Sequence, residues 1–194
     1  TFFGAAHAVT GSCHCLEVNG KKILIDCGLQ QGKDEHDGNT LDFAPNYIDY
    51  VLVTHAHIDH SGRLPLLVKE GFNGRILTTG LTAQLLSVML RDSAHIQEGD
   101  ANWHNQKGKR AGLPPVEPLY TLMDAEEAIH MLETVEYGWL FDLCEGVQVR
   151  FNDAGHLLGS STVEIWATEN GVTKKIVFSG DLGNQDQPII RDPS

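Results

Sequence analysis

Three histidines and an aspartate fall within six residues of this chain, in His55-Ala56-His57-Ile58-Asp59-His60. An imidazole nitrogen is a good zinc ligand, and a carboxylate adds charge that favours a divalent ion. The spacing bears on how the ligands point. His55 and His57 are two apart, so at the end of an extended strand they face the same way. Asp59 and His60 are adjacent and cannot share a strand face, so they are expected where the chain turns into a helix. Two ligand pairs with different directions suit two metals better than one. A single histidine is usually an ordinary core or surface residue; a cluster of this density directly after an apolar strand is the signature of a metal hydrolase.

Further candidates lie at other strand ends. His156 sits in Asp153-Ala154-Gly155-His156-Leu157-Leu158-Gly159-Ser160, and Asp181 in Phe178-Ser179-Gly180-Asp181-Leu182-Gly183. Glycine on either side permits the sharp turns that aim a side chain inward. An isolated Asp in Gly-Asp-Leu-Gly is more often a plain turn residue, and the first cluster is what lifts it to a ligand candidate. Asp26 closes the apolar run Ile23-Leu24-Ile25. It reads equally as a turn-capping residue before Gly28 or as a carboxylate that accepts a hydrogen bond from a ligand histidine and orients it.

The elements that must carry these residues read as an α/β arrangement. Thr1–Ala5 is a short apolar run. Cys13–Val18 and Lys22–Asp26 flank Asn19-Gly20, a hairpin turn signal. Gln30–Asn46 is polar and is expected as a surface loop. Strands are expected at Tyr50–Thr54 and Arg75–Thr79, each followed by a helix. The first helix spans Gly62–Glu70, with Pro65 in its first turn and Gly71 as its stop; the second spans Leu81–Gln97. Glu98–Pro118 reads as a linker or an extended surface excursion, Met123–Leu132 as a helix opened by Asp124 and Glu127. Val147–Asn152, Ser161–Trp166 and Lys174–Phe178 read as strands, the last two joined at Asn170-Gly171.

Composition narrows the class. The chain has 194 residues, 41% hydrophobic and 21% charged, as a soluble globular protein would. No stretch is apolar for the roughly 18 residues of a membrane span, and no signal peptide precedes the first strand. Four cysteines, Cys13, Cys15, Cys27 and Cys144, are too few and too unevenly spaced for a disulfide framework, so cytoplasmic residence is expected. Cys13-His14-Cys15 could be a ligand set, but in a strand its cysteines share one face and His14 takes the other. His7, His36, His95, His104 and His130 have no ligand spacing. The net charge of −12 runs against a polyanionic substrate, although bound divalent ions reverse the local charge.

With these residues in place, the chain resembles the metallo-β-lactamase superfamily, whose most specific motif is His-x-His-x-Asp-His. More narrowly, Gly4 to Cys13, Ile25-Asp26-Cys27-Gly28, Pro114 to Tyr120, Ala154 to Ser160 and Ser179 to Gly183 are similar to the β-CASP ribonucleases, prokaryotic relatives of the endonuclease that cleaves pre-mRNA 3′ ends. The resemblance implies an αββα sandwich and two zinc ions per complete site. His55, His57 and His156 would hold one; Asp59, His60 and Asp181 the other, with Asp181 bridging. Asp59 and Asp181 are the implied catalytic carboxylates, and Asp26 a supporting residue. The expected reaction is hydrolysis of single-stranded RNA by a two-metal-activated hydroxide. Homodimerisation stays open. In the family a β-CASP domain interrupts the sandwich after the Asp181 motif. Residues 1–194 are therefore expected to be the N-terminal segment, with the insertion and the C-terminal part, including a last histidine ligand, absent. Thr1 is not a natural initiator, which agrees with a piece. The motif alone also fits a hydrolase of thioesters, lactones or lactams. A degenerate, non-catalytic scaffold is disfavoured because all six ligand candidates within residues 1–194 are present.

Overall fold

Strand alternation builds the core. In β3 (Lys21–Ile25) and β4 (Tyr50–Leu52), successive side chains face opposite sides of the sheet, and both sides are buried. Leu24 and Val51 join one apolar cluster with Leu64, Leu67, Leu86 and Leu90 of the helices. Ile23, Ile25 and Leu52 join another with Val149, Phe151, Val163 and Ile165 of a second sheet. A strand buried on both faces reads as a continuous apolar run, as Ile23-Leu24-Ile25 and Tyr50-Val51-Leu52-Val53 do.

The computed structural model describes residues 1–32 and 39–194. Part of the expected loop Gln30–Asn46, and His36 with it, lies outside the described residues. The first sheet runs β1 (Phe2–Gly4), β2 (Cys13–Val18), β3, β4, β5 (Arg75–Thr79), β6 (Leu132–Val135). Its first three strands are antiparallel, and β3 to β6 pair in parallel. The second sheet is antiparallel, in the order β10 (Val172–Phe178), β9 (Ser161–Glu169), β8 (Val147–Asp153), β7 (Phe141–Cys144). Helices α1 (Ile58–Ser61), α2 (Leu64–Lys69), α3 (Gly80–Ala111) and α4 (Leu122–His130) complete the chain. Helices, first sheet and second sheet stack in three layers. Among the described residues no helix covers the outer face of the second sheet. That face is polar: Glu164 pairs with Arg150 and Lys175 beside Trp166.

Several boundaries differ from expectation. Glu98–Ala111 is helix, not linker: α3 runs 32 residues without a proline and stops at Gly112, whose φ of 71° lies in the left-handed region. α4 opens on Thr121, which accepts from Asp124 N while the Asp124 carboxylate accepts from Thr121 N, so the capping pair is one turn earlier than Asp124 and Glu127. Its end lies at His130, because Leu132 pairs with Ile76 in β6. β6 and β7 carried too little alternation to be read from sequence. The expected helix Gly62–Glu70 is α2, preceded by the separate turn α1.

Candidate metal centre

The six ligand candidates lie at the ends of β4, β8 and β10 and in α1. β4 closes on Leu52, and the chain leaves it through Val53 and Thr54 into His55. His57 is the N-cap of α1, which holds Asp59 and His60. This single helical turn is set by its neighbours: Cys27 N and Leu29 N, in the segment after β3, donate to the carbonyls of His60 and Ile58 at 2.9 Å, and Ser12 N, just before β2, donates to Asp59 O at 2.8 Å. Gly28 makes that approach possible, since a Cβ there would stand 1.6 Å from the Asp59 carbonyl oxygen.

The loop 154–160 turns back on itself, and the Ser160 hydroxyl accepts from His156 N and Leu157 N at 3.0 and 3.2 Å. The Asp181 turn crosses the same loop: Gly183 N donates to Ala154 O at 2.9 Å, and a Cβ on Gly183 would meet Gly155 O at 1.5 Å. Two glycines thus let three backbone segments close over one point.

At that point the side chains form two groups. His55 Nε2 lies 3.0 Å from His57 Nδ1, which lies 3.2 Å from His156 Nε2. Asp181 Oδ2 stands 3.4 Å from His156 Nε2 and 3.7 Å from His55 Nε2. One ligand atom from each of these four residues lies within 4.8 Å of every other. Ligands about 2.0–2.1 Å from a tetrahedral zinc stand about 3.3 Å apart, close to the neighbouring separations of 3.0, 3.2, 3.4 and 3.7 Å. The second group uses the other oxygen of the same carboxylate: Asp181 Oδ1 is 3.4 Å from His60 Nε2, which is 3.8 Å from Asp59 Oδ2.

Hydrogen bonding explains which ring nitrogens are bare. Asp26 is buried, with φ 60°, and its Oδ2 accepts from His60 Nδ1 at 2.7 Å and from Thr54 Oγ1 at 2.9 Å. Its Oδ1 accepts from Thr54 N at 2.8 Å. A proton on His60 Nδ1 leaves Nε2 as a lone pair facing Asp59 and Asp181. Because Thr54 donates to Asp26, its oxygen accepts from His55 Nδ1 at 3.0 Å, and His55 Nε2 is bare as well. Three converging ring nitrogens cannot all be satisfied by a proton between them, and a cation answers that arrangement. The residues present fit a metal ion.

The electrostatics agree. Burial, then the neighbouring His60, His57 and His156, lowers the His55 ring to about 2. Burial and His156 lower His57. These rings are neutral at ordinary pH, as ligands must be. Burial would lower His60 too, but the hydrogen bond and charge of Asp26, with Asp181 and Asp59, turn the net shift upward.

Sequence reasoning did not single out Thr54 or Ser160, the residues that set the His55 tautomer and hold the His156 turn. Each adjoins or lies in a motif already quoted, but neither residue type announces such a role. It also set His14 aside; the structure turns it, opposite the buried Cys13, onto a cavity of about 310 Å³ shared with Ser12, Asp26, His60 and Asp181. Among the described residues the group that could hold a metal is His55, His57, His156 and Asp181, without Cys13, His14 or Cys15.

The model of the metallo-β-lactamase superfamily matches residues 8–193. Ribonuclease TTHA0252 of Thermus thermophilus is 38% identical over 99% of this chain and 39% of its own. Transcription termination factor FttA of Methanosarcina mazei is 32% identical over 100% and 28%. Cleavage and polyadenylation specificity factor 73 of Drosophila melanogaster is 32% identical over 94% and 24%. The chain thus spans well under half the length of these relatives. Among solved structures, the S60 mutant of a HARLDQ-motif metallo-β-lactamase of Cronobacter sakazakii superposes with a TM-score of 0.57 at 19% identity, over 97% of this chain and 62% of that one. The subclass B3 enzyme MEM-A1 from a soil metagenome gives 0.53 at 20%, over 87% and 56%. Both likenesses concern the fold. No helix of the described residues is long and apolar enough to cross a membrane.

Proposed function

The chain belongs to the metallo-β-lactamase superfamily, and from that premise we propose that it is the N-terminal, metal-holding segment of a zinc-dependent ribonuclease of the β-CASP type. The observation that carries this reading is the division of one carboxylate between two ligand groups: Asp181 Oδ2 toward His55 and His156, Oδ1 toward His60. RNA as the substrate is supported by relatives at 38% and 32% identity named as a ribonuclease and as a cleavage and polyadenylation specificity factor. The lactamases share under 25% identity and bear on the fold, so no observation favours a lactam, lactone or thioester substrate.

His55, His57, His156 and Asp181 would hold one zinc; Asp59, His60 and Asp181 the other. When bound, two such ions supply an acidified water and positive charge for the phosphate oxygens. The chain's own residues do the positioning. Asp26 and Thr54 keep the ring protons of His60 and His55 on Nδ1, so that both Nε2 atoms stay available. Asp59 and Asp181, both only partly buried, would be the catalytic carboxylates: Asp181 would be shared between the ions, and Asp59, with one oxygen toward His60, keeps the other to accept a proton from the attacking water and orient it. No 2′-hydroxyl takes part, so products carry 5′-phosphates. Single-stranded RNA as the substrate, cytoplasmic action, which is in keeping with free cysteines, and homodimerisation belong to the same proposal. The test is zinc content and RNA cleavage by the full-length protein and by its His57→Ala and Asp181→Ala variants. Zinc content and cleavage are expected to fall together. Undiminished cleavage by both variants would refute the reading.

A further inference from the structure

His156 is the ligand candidate farthest in sequence from the His55–His60 segment, and its turn is held from behind. The Thr79 and Thr82 hydroxyls, at the start of α3, both donate to Gly159 O at 2.7 Å. The Tyr137 hydroxyl, from the segment between β6 and β7, donates to Ser160 O at 2.7 Å. All of these threonine and serine groups are buried. Burial, with Asp153 nearby, pushes the Tyr137 phenol up to about 12, so it stays a donor throughout the working range. The clamped residues lead straight to the ligand. Ser160 Oγ accepts from His156 N and Leu157 N, and Ser160 N donates to Leu157 O at 3.0 Å. Ser161 N and Oγ then donate to the carbonyl of Thr54, the residue before His55, at 2.8 and 2.9 Å.

We propose that Tyr137, Thr79 and Thr82 are positioning residues for the metal centre: three hydroxyls that anchor the Gly159–Ser160 backbone and thereby hold His156 at ligand distance from His55 and His57. The inference rests on the reading of this cluster as a metal site. Its physical basis is that a ligand on a loop reaches its ion only if the loop is held to a fraction of an ångström, and a backbone carbonyl with two short hydroxyl donors is such a hold. Gly159 has φ 87°, and a Cβ there would stand 2.5 Å from Thr82 N, so the loop sits directly on the helix start. Thr79 also caps α3, so Thr82 and Tyr137 are the cleaner probes.

The experiment uses full-length protein carrying Thr82→Val with Tyr137→Phe, beside Thr82→Ser and His57→Ala. Zinc affinity is measured by competition with a chromophoric chelator, the cobalt-substituted absorption spectrum is recorded, and the melting temperature of the metal-free forms is compared. The expected result is a tenfold to hundredfold loss of zinc affinity with an altered cobalt spectrum in the double variant. Thr82→Ser is expected to stay near the parent, because it keeps the hydroxyl. Unchanged affinity in the double variant overturns the proposal, whatever happens to the melting temperature, and so does an equal loss in Thr82→Ser. If His57→Ala also leaves zinc binding intact, the metal-centre reading itself has failed; if His57→Ala abolishes it and the hydroxyl variants do nothing, only the positioning role has.

Discussion

Replacing Asp26 by asparagine tests the link between hydrogen bonding and metal affinity with little steric change. Asn tolerates φ 60° as Asp does, whereas Ala would add backbone strain at the same place. The amide oxygen can still accept from Thr54 N, as Oδ1 does now at 2.8 Å. The amide nitrogen, however, replaces the oxygen that accepts from His60 Nδ1 and Thr54 Oγ1 at 2.7 and 2.9 Å. A donor then faces two donors. The cheapest relief moves the His60 proton to Nε2 and turns the Thr54 hydroxyl toward His55 Nδ1, which drives the His55 proton to Nε2 as well. Both nitrogens then point hydrogen atoms into the cluster. Loss of one such supporting partner lowers metal affinity by about 10–100-fold, or about 1.4–2.7 kcal/mol. The metal-free fold should also lose about 1.5–3 kcal/mol, the worth of a hydrogen bond to a charged group. Chelator competition on the full-length protein gives the first quantity and urea unfolding of the stripped protein the second. An Asp26→Asn protein that binds zinc as tightly as the parent would show that the tautomers are not set in this way.

Three other perturbations follow from the same geometry. Thr54→Val should cost about 1–3 kcal/mol by stranding a buried acceptor on Asp26, with Thr54→Ser near the parent in chemical denaturation. Gly183→Ala places a Cβ 1.5 Å from Gly155 O, so the Asp181 turn must move; a loss of about 3 kcal/mol or more and of bound zinc is expected, read by calorimetry and metal analysis. The metal-free protein should weaken in acid: His55 has its folded value lowered to about 2, so between about 6.5 and that value the unfolded chain takes up a proton that the folded chain refuses. That contribution to stability is present above the unfolded value and falls with pH by up to about 1.4 kcal/mol per unit. His60, raised by Asp26, acts oppositely, contributing stability below its unfolded value that is lost as pH rises. Comparing the pH dependence of His55→Gln with the parent isolates the first effect, and an unchanged slope would refute it.

Much of the site was legible because metal ligation constrains residue type and spacing locally. Asp59 and His60 lie in a helical turn as expected, whereas His55 and His57 lie past the end of β4 at Leu52, with His57 as the N-cap of α1, so strand periodicity does not set how they point. His156 and Asp181 were legible as glycine-flanked residues after strands. Boundaries governed by packing were harder. Glu98–Ala111 looks polar and uncommitted, yet it continues α3, because it holds no proline and a helix that has already begun tolerates Gly99 and Gly108. β6 has only two apolar residues, Leu132 and Val135, without alternation, and its pairing with β5 makes it a strand.

By itself, then, the amino-acid sequence determined which residue types could hold a metal and which short segments would carry them, since those depend on neighbours a few positions apart. Only the tertiary structure decided how they meet. The sharing of Asp181 between two histidine groups, the buried Asp26 that selects the tautomer of His60, and the crossings at Gly28 and Gly183 all join segments tens of residues apart. Ligand distances depend on backbone approach across sheet ends, and that approach is set by packing between the layers.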